Sequence, residues 1–265
     1  MSREKKLKEQ RGLIKSLKDS CKGETVIILG CSPFLLDYDN HDLKKVLGRH
    51  KVLAIKQSYK IFKNFIDIHV YNCCNIEQYE YSDKKPLVIE ASSKAPSGNN
   101  FDLFFHIQER NKANSLSSLV LSSASDSCLD DWSFSGERKY LKSAWRNCDI
   151  ELRPCGPGIM SEIIFFICEH MGFSEIILIG CDNESSGKRT HFYRDKNNQY
   201  SHTSNDPHKN SPWINFEEEK RMFLGLMDFW NRWFLKKNTE LKIVSKFNNY
   251  PSSIKKIELN EILQR

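Results

Sequence analysis

Apolar residues in this chain occur as short uninterrupted runs rather than in alternation with polar ones. Two of these runs are nearly alike, TVIILGCSP at Thr25–Pro33 and EIILIGCDN at Glu175–Asn183. A β-branched run without alternation is typical of a strand buried on both faces of a parallel sheet. Each run ends at Gly-Cys and then turns polar, and glycine lets the backbone turn sharply and approach a ligand. We therefore expect two strand ends that build a ligand crevice at one edge of the sheet.

The remaining pattern extends this prediction to a whole domain. Further apolar runs predict strands at Val52–Ile55, Ile66–Tyr71, Leu87–Glu90, Phe101–Ile107 and Lys242–Val244. Helical spacing predicts helices at Glu4–Lys18, Asp42–Leu47, Ile159–Met171 and Phe216–Lys237. Gly172 is placed to end the third helix just before the strand at Glu175. This tight helix–strand join favours an α/β, Rossmann-like, doubly wound and mainly parallel sheet, with helices on both faces and a lid or insertion.

The domain boundaries follow from the same pattern. We assign residues 1–22 to an N-terminal helix, 23–245 to a Rossmann-like catalytic domain and 246–265 to a C-terminal tail. The catalytic domain contains an insertion at about 91–150 and a polar loop at about 183–213. A loop of that length is uncommon in a compact domain unless it is a lid or a binding loop.

Composition narrows the class of protein. The chain has 265 residues, a net charge of +6, 39% hydrophobic and 28% charged residues, which is typical of a folded protein. No apolar stretch is long enough to span a bilayer, and the N-terminus lacks the apolar region of a signal peptide. We therefore expect a cytoplasmic protein, and attachment to the inner membrane face stays open. An aromatic face on the predicted helix Phe216–Lys237 leaves an oligomer open as well.

Charge and cysteine usage exclude other classes. The mild, dispersed positive charge would attract nucleotide phosphates but does not indicate nucleic-acid binding. Nine cysteines form an odd count without a secretion signal, which argues against a disulfide framework. The chain contains no Cys-x-x-Cys pair, and we predict no metal site.

The turn after the first strand is the first candidate site. Gly30, Cys31, Ser32 and Pro33 could offer backbone N–H groups and a hydroxyl to a phosphate or a ribose. The turn is neither a Walker loop nor a GxGxxG motif, and an ordinary strand–turn is the alternative interpretation.

A second candidate lies in RPCGPG, before the buried helix. Gly156 and Gly158 precede a helix N-terminus, where an anion can bind, and Arg153 could add a fork of donors. A loop stiffened by proline is the alternative interpretation.

The polar loop after the second Gly-Cys supplies the third candidate. Asp182 and Asn183 follow the strand end, where a carboxylate can hold ribose hydroxyls. Candidate catalytic residues follow on the loop, because histidine can act as a general base near neutral pH and tyrosine can neutralise a leaving phosphate. They are His191, Tyr193, His202 and His208.

Together these motifs resemble a known family. A Lys-Gly pair, a strand ending in Gly-x-x-Pro, the stretch MGFSEIILIGCD and then HFY on a loop occur in this order. The set is similar to that of the small bacterial sialyltransferases and of their hydroxymethylpterin-pyrophosphokinase-like and motility-associated glycosylation relatives. The resemblance covers Leu17–Asn75 and Cys155–Val244.

The resemblance implies a Rossmann-like fold with a lid and transfer of a sugar from a nucleotide donor, with a CMP-sugar favoured. It implies that Gly30–Pro33, Asn72 and Asp182 contact the donor. It also implies that His208, with His202 next, deprotonates the acceptor and that Tyr193 stabilises the leaving phosphate. Two nucleotide-contacting positions where the family usually has Asn are occupied here by Cys31 and Lys56.

Three functions are therefore weighed. The first is an inverting glycosyltransferase with a histidine base and no required cofactor, which acts on a glycan or another hydroxyl acceptor. The second is a Mg²⁺-dependent pyrophosphoryl or nucleotidyl transferase with Mg²⁺ on Asp182. The third is a nucleotide- or glycan-binding module without activity.

Overall fold

The structure, a computed structural model, describes residues 3–38, 40–71, 79–81, 85–92, 101–106, 163–182, 224, 227–228, 230–247 and 250–265. These ranges contain an eight-stranded sheet in the order β5-β4-β3-β2-β1-β6-β7-β8, in which every neighbouring pair is parallel. The strands are β1 Thr25–Leu29, β2 Lys51–Ile55, β3 Ile68–Tyr71, β4 Leu87–Ser92, β5 Leu103–His106, β6 Glu175–Ile179, β7 Glu240–Val244 and β8 Lys255–Lys256.

Helices cover both faces of this sheet. They are α1 Arg3–Leu17, α2 Asn40–Leu47, α3 Ser58–Phe62, α4 Phe165–Met171 and α5 Leu259–Leu263, together with a helical segment at 230–236. On one face, α1, α4 and the segment 230–236 pack against Val26 and Ile28 of β1. On the other face, α2, α3 and α5 pack against Ile27 and Leu29. Both sides of the central strand are therefore buried, which is why its sequence does not alternate.

The doubly wound α/β fold predicted from the sequence is confirmed. Strands β1 and β6 have the predicted bounds, and Gly172 ends α4 with a left-handed backbone at φ 81°. The pattern did not anticipate α3, β8 or α5. The last two lie in the range assigned to a C-terminal tail, where β8 pairs with β7 and α5 packs against α2. β5 lies within the range assigned to an insertion.

The two Gly-Cys strand ends touch through their glycines. The N–H of Gly30 donates to the carbonyl of Ile179 at 2.8 Å. A Cβ on Gly30 would lie 2.6 Å from the Cys181 sulfur and closer still to the carbonyl oxygen of Gly180. Gly180 has φ +66°, and a Cβ there would lie 2.8 Å from Leu35. Neither position has room for a side chain, because Gly30 packs against the backbone after β6 and Gly180 packs against Leu35 in the segment after β1.

We predict that Gly30→Ala destabilises the fold. The added methyl group meets backbone that cannot move without separating β1 from β6, and overpacking of this kind costs about 1–3 kcal/mol or more. Urea unfolding at neutral pH measures the loss.

Gly12→Ala is the matched control, because a Cβ at Gly12 in α1 meets nothing within 4 Å. The same substitution there should raise the free energy of unfolding by about 0.5–1 kcal/mol through helix propensity. Equal unfolding midpoints for Gly30→Ala and the unmodified protein would contradict the close packing of the two strand ends.

Candidate functional site

The strand order changes direction beside β1. Strands β2 to β5 extend the sheet on one side of β1, whereas β6, β7 and β8 extend it on the other. The boundary between β1 and β6 is therefore a topological switch point, where connecting segments diverge and open α/β sheets bind ligands at the carboxyl edge. We call this edge, formed by Gly30–Pro33, Lys56 and Gly180–Asp182, the switch-point site.

The turn at Gly30–Pro33 uses its polar groups within the protein. The N–H of Ser32 donates to the carbonyl of Gly180 at 2.8 Å, and its side-chain oxygen accepts from the N–H of Phe34 at 3.2 Å. Ser32 is 6% exposed, whereas Pro33 is half-buried. The turn therefore forms a rigid wall of the switch-point site, and the amides of Gly30 and Ser32 are occupied by β6 and the segment after it.

Cys31 and Ser58 join the ends of β1 and β2. The Cys31 thiol donates to the carbonyl of Ile55 at 3.0 Å, and burial raises its pKa to about 11. The Ser58 hydroxyl oxygen lies 2.9 Å from the carbonyl of Leu29 and 2.7 Å from that of Ile55. Cys31 is thus a neutral, buried thiol that fixes the position of the turn, and it presents its sulfur to the protein interior.

Lys56 directly follows β2 and adopts an unusual backbone conformation. Its φ of +49° lies in the left-handed region, which costs a residue with a Cβ about 1–2 kcal/mol. Asp19 and Asn238, the other non-glycine residues of positive φ in the described ranges, precede strands, whereas Lys56 lies at the carboxyl edge. The half-buried Lys56 is close enough to Cys31 for its positive charge to counter part of the rise in the thiol pKa. Strained residues of this kind often mark functional sites.

Asp182 is placed at the carboxyl end of β6, as predicted, but it is fully buried. Its Oδ1 accepts a hydrogen bond of 2.5 Å from the hydroxyl of Ser245, which follows β7. Burial and the charge of Asp182 together raise the pKa of Tyr38, whose hydroxyl donates to the carbonyl of Val244. The carboxylate therefore joins the ends of β6 and β7, and a ligand reaches it only if the covering groups move.

An aromatic pair, Phe34 and Phe247, spans the end of β6. The rings of Phe34, after β1, and Phe247, after β7, lie 4.6 Å apart. A serine lies two residues before each phenylalanine and accepts a hydrogen bond from its backbone N–H. The N–H of Phe34 donates to the Ser32 oxygen at 3.2 Å, and the N–H of Phe247 donates to the Ser245 oxygen at 3.1 Å. This pair joins the segment after β1 to the segment after β7, whereas Lys56 lies on the other side of β1, after β2.

A buried histidine lies beneath Lys56. His69 in β3 is 0% exposed, and its Nε2 lies 2.9 Å from the Lys56 carbonyl, while its Nδ1 lies 2.9 Å from the Tyr81 hydroxyl. Burial lowers the pKa of His69 to about 3, so the ring is neutral near pH 7. A carbonyl only accepts, so Nε2 carries the hydrogen and Nδ1 accepts from Tyr81. Tyr59 stacks on the ring at 4.7 Å, and Tyr79 meets it edge-on at 4.5 Å.

The structure brings together part of the predicted site. Gly30, Cys31, Ser32, Pro33, Lys56 and Asp182 all lie at the switch-point site. The other predicted residues lie outside the described ranges, so their roles stay predictions. They are Asn72, Arg153, Gly156, Gly158, Asn183, His191, Tyr193, His202 and His208.

Sequence reasoning missed three residues that shape the site, Ser58, His69 and Ser245. A signal for Ser245 was present, since Ser-x-Phe follows an apolar run both at 32–34 and at 245–247. His69 interrupts the apolar run IHVY, and a polar residue inside a buried strand calls for a buried partner. Ser58 carried no such signal.

Further features of the described ranges concern metal ligands, membrane-spanning helices and cavities. No group of three or more metal-ligating side chains is placed to hold a metal ion within these ranges. Among the helices of the same ranges, none has the length and apolar character needed to cross a membrane. A cavity of about 400 Å³ lies at the opposite, amino edge of the sheet, where Arg49, His50, Lys51 and Asp67 line it.

We predict that His69 makes the fold sensitive to acid. Between about pH 3 and 6.5 the unfolded chain binds a proton at His69 that the folded protein does not, so stability falls as the pH falls. From pH 7 to pH 5 this residue alone should remove about 2 kcal/mol from the free energy of unfolding. Urea unfolding of the unmodified protein and of His69→Gln at both pH values should show a smaller loss in the variant.

His41→Gln provides the control, because His41 is exposed on α2. It should keep the pH dependence of the unmodified protein. An undiminished loss between pH 7 and pH 5 in His69→Gln would show that this histidine is not held neutral.

Comparisons with known proteins complete the description. No protein-family model matches the sequence, and no curated protein matches it. Among solved structures, the MAf glycosyltransferase from Magnetospirillum magneticum AMB-1 matches with a TM-score of 0.44 and 12% identity. The match covers 96% of this chain and 38% of that protein, so the chain spans well under half of its length. At this similarity the fold assignment rests on the sheet itself.

Proposed function

We propose that this protein is a glycosyltransferase that binds a nucleotide-sugar donor at the switch-point site and transfers the sugar to a hydroxyl acceptor. The observation that supports the proposal is the reversal of strand order between β1 and β6, which gathers Gly30–Pro33 and Lys56 at one edge. In parallel sheets this is the position of nucleotide ligands. The transferase chemistry comes from the resemblance of the motifs to the sialyltransferase family.

Lys56 is the proposed contact for the donor phosphate. Its positive charge acts on the Cys31 thiol of the turn after β1, and a positive charge at this edge can neutralise the negative charge that develops on a departing nucleotide. Because Cys31 faces the interior, the sulfur cannot replace the asparagine of the family as a nucleotide ligand. The charge of Lys56 therefore replaces part of the nucleotide contact made by asparagine in the family. A point charge of this kind favours binding to the phosphate of the nucleotide rather than to its base.

The proposed reaction is a direct displacement. The acceptor oxygen forms a bond to the anomeric carbon as the bond from that carbon to the phosphate oxygen breaks, and the nucleotide leaves with the electron pair. A histidine of the segment 183–213 takes the acceptor proton. His208 is the first candidate for this base, followed by His202 and His191. The step requires a base and stabilisation of the leaving group, and no metal ion enters it.

A panel of nucleotides tests the proposal. Thermal unfolding with CMP, CDP, UDP, GDP and ATP, each with and without Mg²⁺, should show stabilisation by CMP without Mg²⁺, because ligands that bind the folded state raise its stability. Stabilisation by ATP only in the presence of Mg²⁺ would contradict the proposal in favour of pyrophosphoryl transfer. No response to any nucleotide would contradict it in favour of a module without this activity.

We predict that Lys56→Gln weakens nucleotide binding without changing the free energy of unfolding. Glutamine, like lysine, carries a Cβ and bears the same cost in the left-handed region, so stability should be unchanged. Loss of a charged hydrogen bond to phosphate should weaken CMP binding about 10- to 100-fold, whereas cytidine, which lacks the phosphate, should be unaffected. Isothermal titration calorimetry measures both affinities.

The matched control is Lys51→Gln, at the opposite end of the same strand. It removes the same charge from the amino edge, where Lys51 pairs with Asp67 at 3.5 Å. CMP affinity should be unchanged in this variant. Equal weakening by Lys51→Gln and Lys56→Gln would mean that overall charge, and not Lys56, attracts the nucleotide.

A further inference from the structure

The left-handed backbone of Lys56 is held from two sides. Its N–H donates to the carbonyl of Val70 at 2.9 Å, which continues the pairing of β2 with β3. Its carbonyl faces the buried ring of His69 at 2.9 Å, and the N–H of Tyr59 also donates to it, at 3.3 Å. The peptide groups on both sides of the Lys56 Cα are thus fixed by buried partners.

The partner ring is itself fixed. His69 accepts from Tyr81 at its second nitrogen, and the rings of Tyr59, Tyr71 and Tyr79 surround it. On β4, Val88 is its register partner. A neutral ring with both nitrogens bonded and aromatic rings around it cannot turn to another rotamer without breaking these contacts.

We propose that His69 is a positioning residue, which holds the Lys56 carbonyl so that the strained backbone directs the Lys56 ammonium group at the donor phosphate, a role that rests on the proposed function. The strain makes such a device necessary. An unconstrained lysine leaves the left-handed region, so loss of the His69 contact should lower the fraction of molecules in the competent conformation, although the contacts with Val70 and Tyr59 remain.

The size of the effect follows from that population. If only a fraction of molecules holds Lys56 correctly, the apparent affinity falls by the same fraction. A strain of about 1–2 kcal/mol corresponds to an affinity loss of about 5- to 30-fold. His69→Leu, which removes one of the groups that hold Lys56, should therefore weaken CMP binding by a factor of up to this size, measured by calorimetry well below the melting temperature.

Two further variants separate positioning from folding. The His69→Gln side chain keeps an N–H group for the Lys56 carbonyl and should bind CMP within about twofold of the unmodified protein. Val88→Ala removes buried volume from the register partner of His69 without touching that hydrogen bond. It should lower the urea midpoint but leave CMP affinity unchanged, because destabilisation alone does not alter a binding constant of the folded state.

A double-mutant cycle tests the same link without any ligand. In a Lys56→Gly background the left-handed backbone carries no strain, so His69→Leu should lower the urea midpoint less than it does in the unmodified background. Equal losses in both backgrounds, together with unchanged CMP affinity in folded His69→Leu, would overturn the positioning role and leave the proposed function standing. Failure of the unmodified protein to bind CMP would instead overturn the proposed function, and the phosphate role of Lys56 with it.

Discussion

The contact between two glycines at the carboxyl ends of β1 and β6 is the constraint on which the rest of this structure depends. Gly30 lies so close to the backbone of Gly180 that it has no room for a Cβ, while Gly180 has a positive φ and packs against Leu35. This contact lets β6 enter the sheet directly beside β1, at the point where the strand order reverses. The turn after β1 and Asp182 therefore share the carboxyl edge of the sheet at this switch point.

From that contact outward, hydrogen bonds tie neighbouring strand ends in pairs. Cys31 and Ser58 join β1 to β2, His69 joins β3 to Lys56, and Ser245 joins β7 to Asp182. Apart from the half-buried Lys56, each of these partners is buried, so the bonds form where an unpaired polar group would be costly. These bonds preorganise the carboxyl edge of the sheet, so that its contacts can keep Lys56 in the strained left-handed conformation.

The sequence predicted the sheet because a parallel strand buried on both faces has a continuous apolar run without polar alternation. Strands β1 and β6 have the predicted bounds. The sequence could not predict β8 or α5, since a two-residue strand and a five-residue helix are too short to show a repeating pattern of apolar residues. At the site, the position of Asp182 followed from its place after a strand, but its burial under Ser245 depends on a residue 63 positions away. Neither the partners of His69 nor the conformation of Lys56 could be read from local sequence, because both arise from contacts between strands.

The central claim is that a nucleotide binds at the carboxyl edge, between the turn after β1 and Lys56. Hydrogen–deuterium exchange of the intact protein with and without saturating CMP tests it most directly, because bound ligand slows exchange where it rigidifies the backbone. We predict slower exchange in peptides that cover residues 30–38 and 56–62, with no change at 48–52 beside the amino-edge cavity. Protection at 48–52 with none at the carboxyl edge would contradict it.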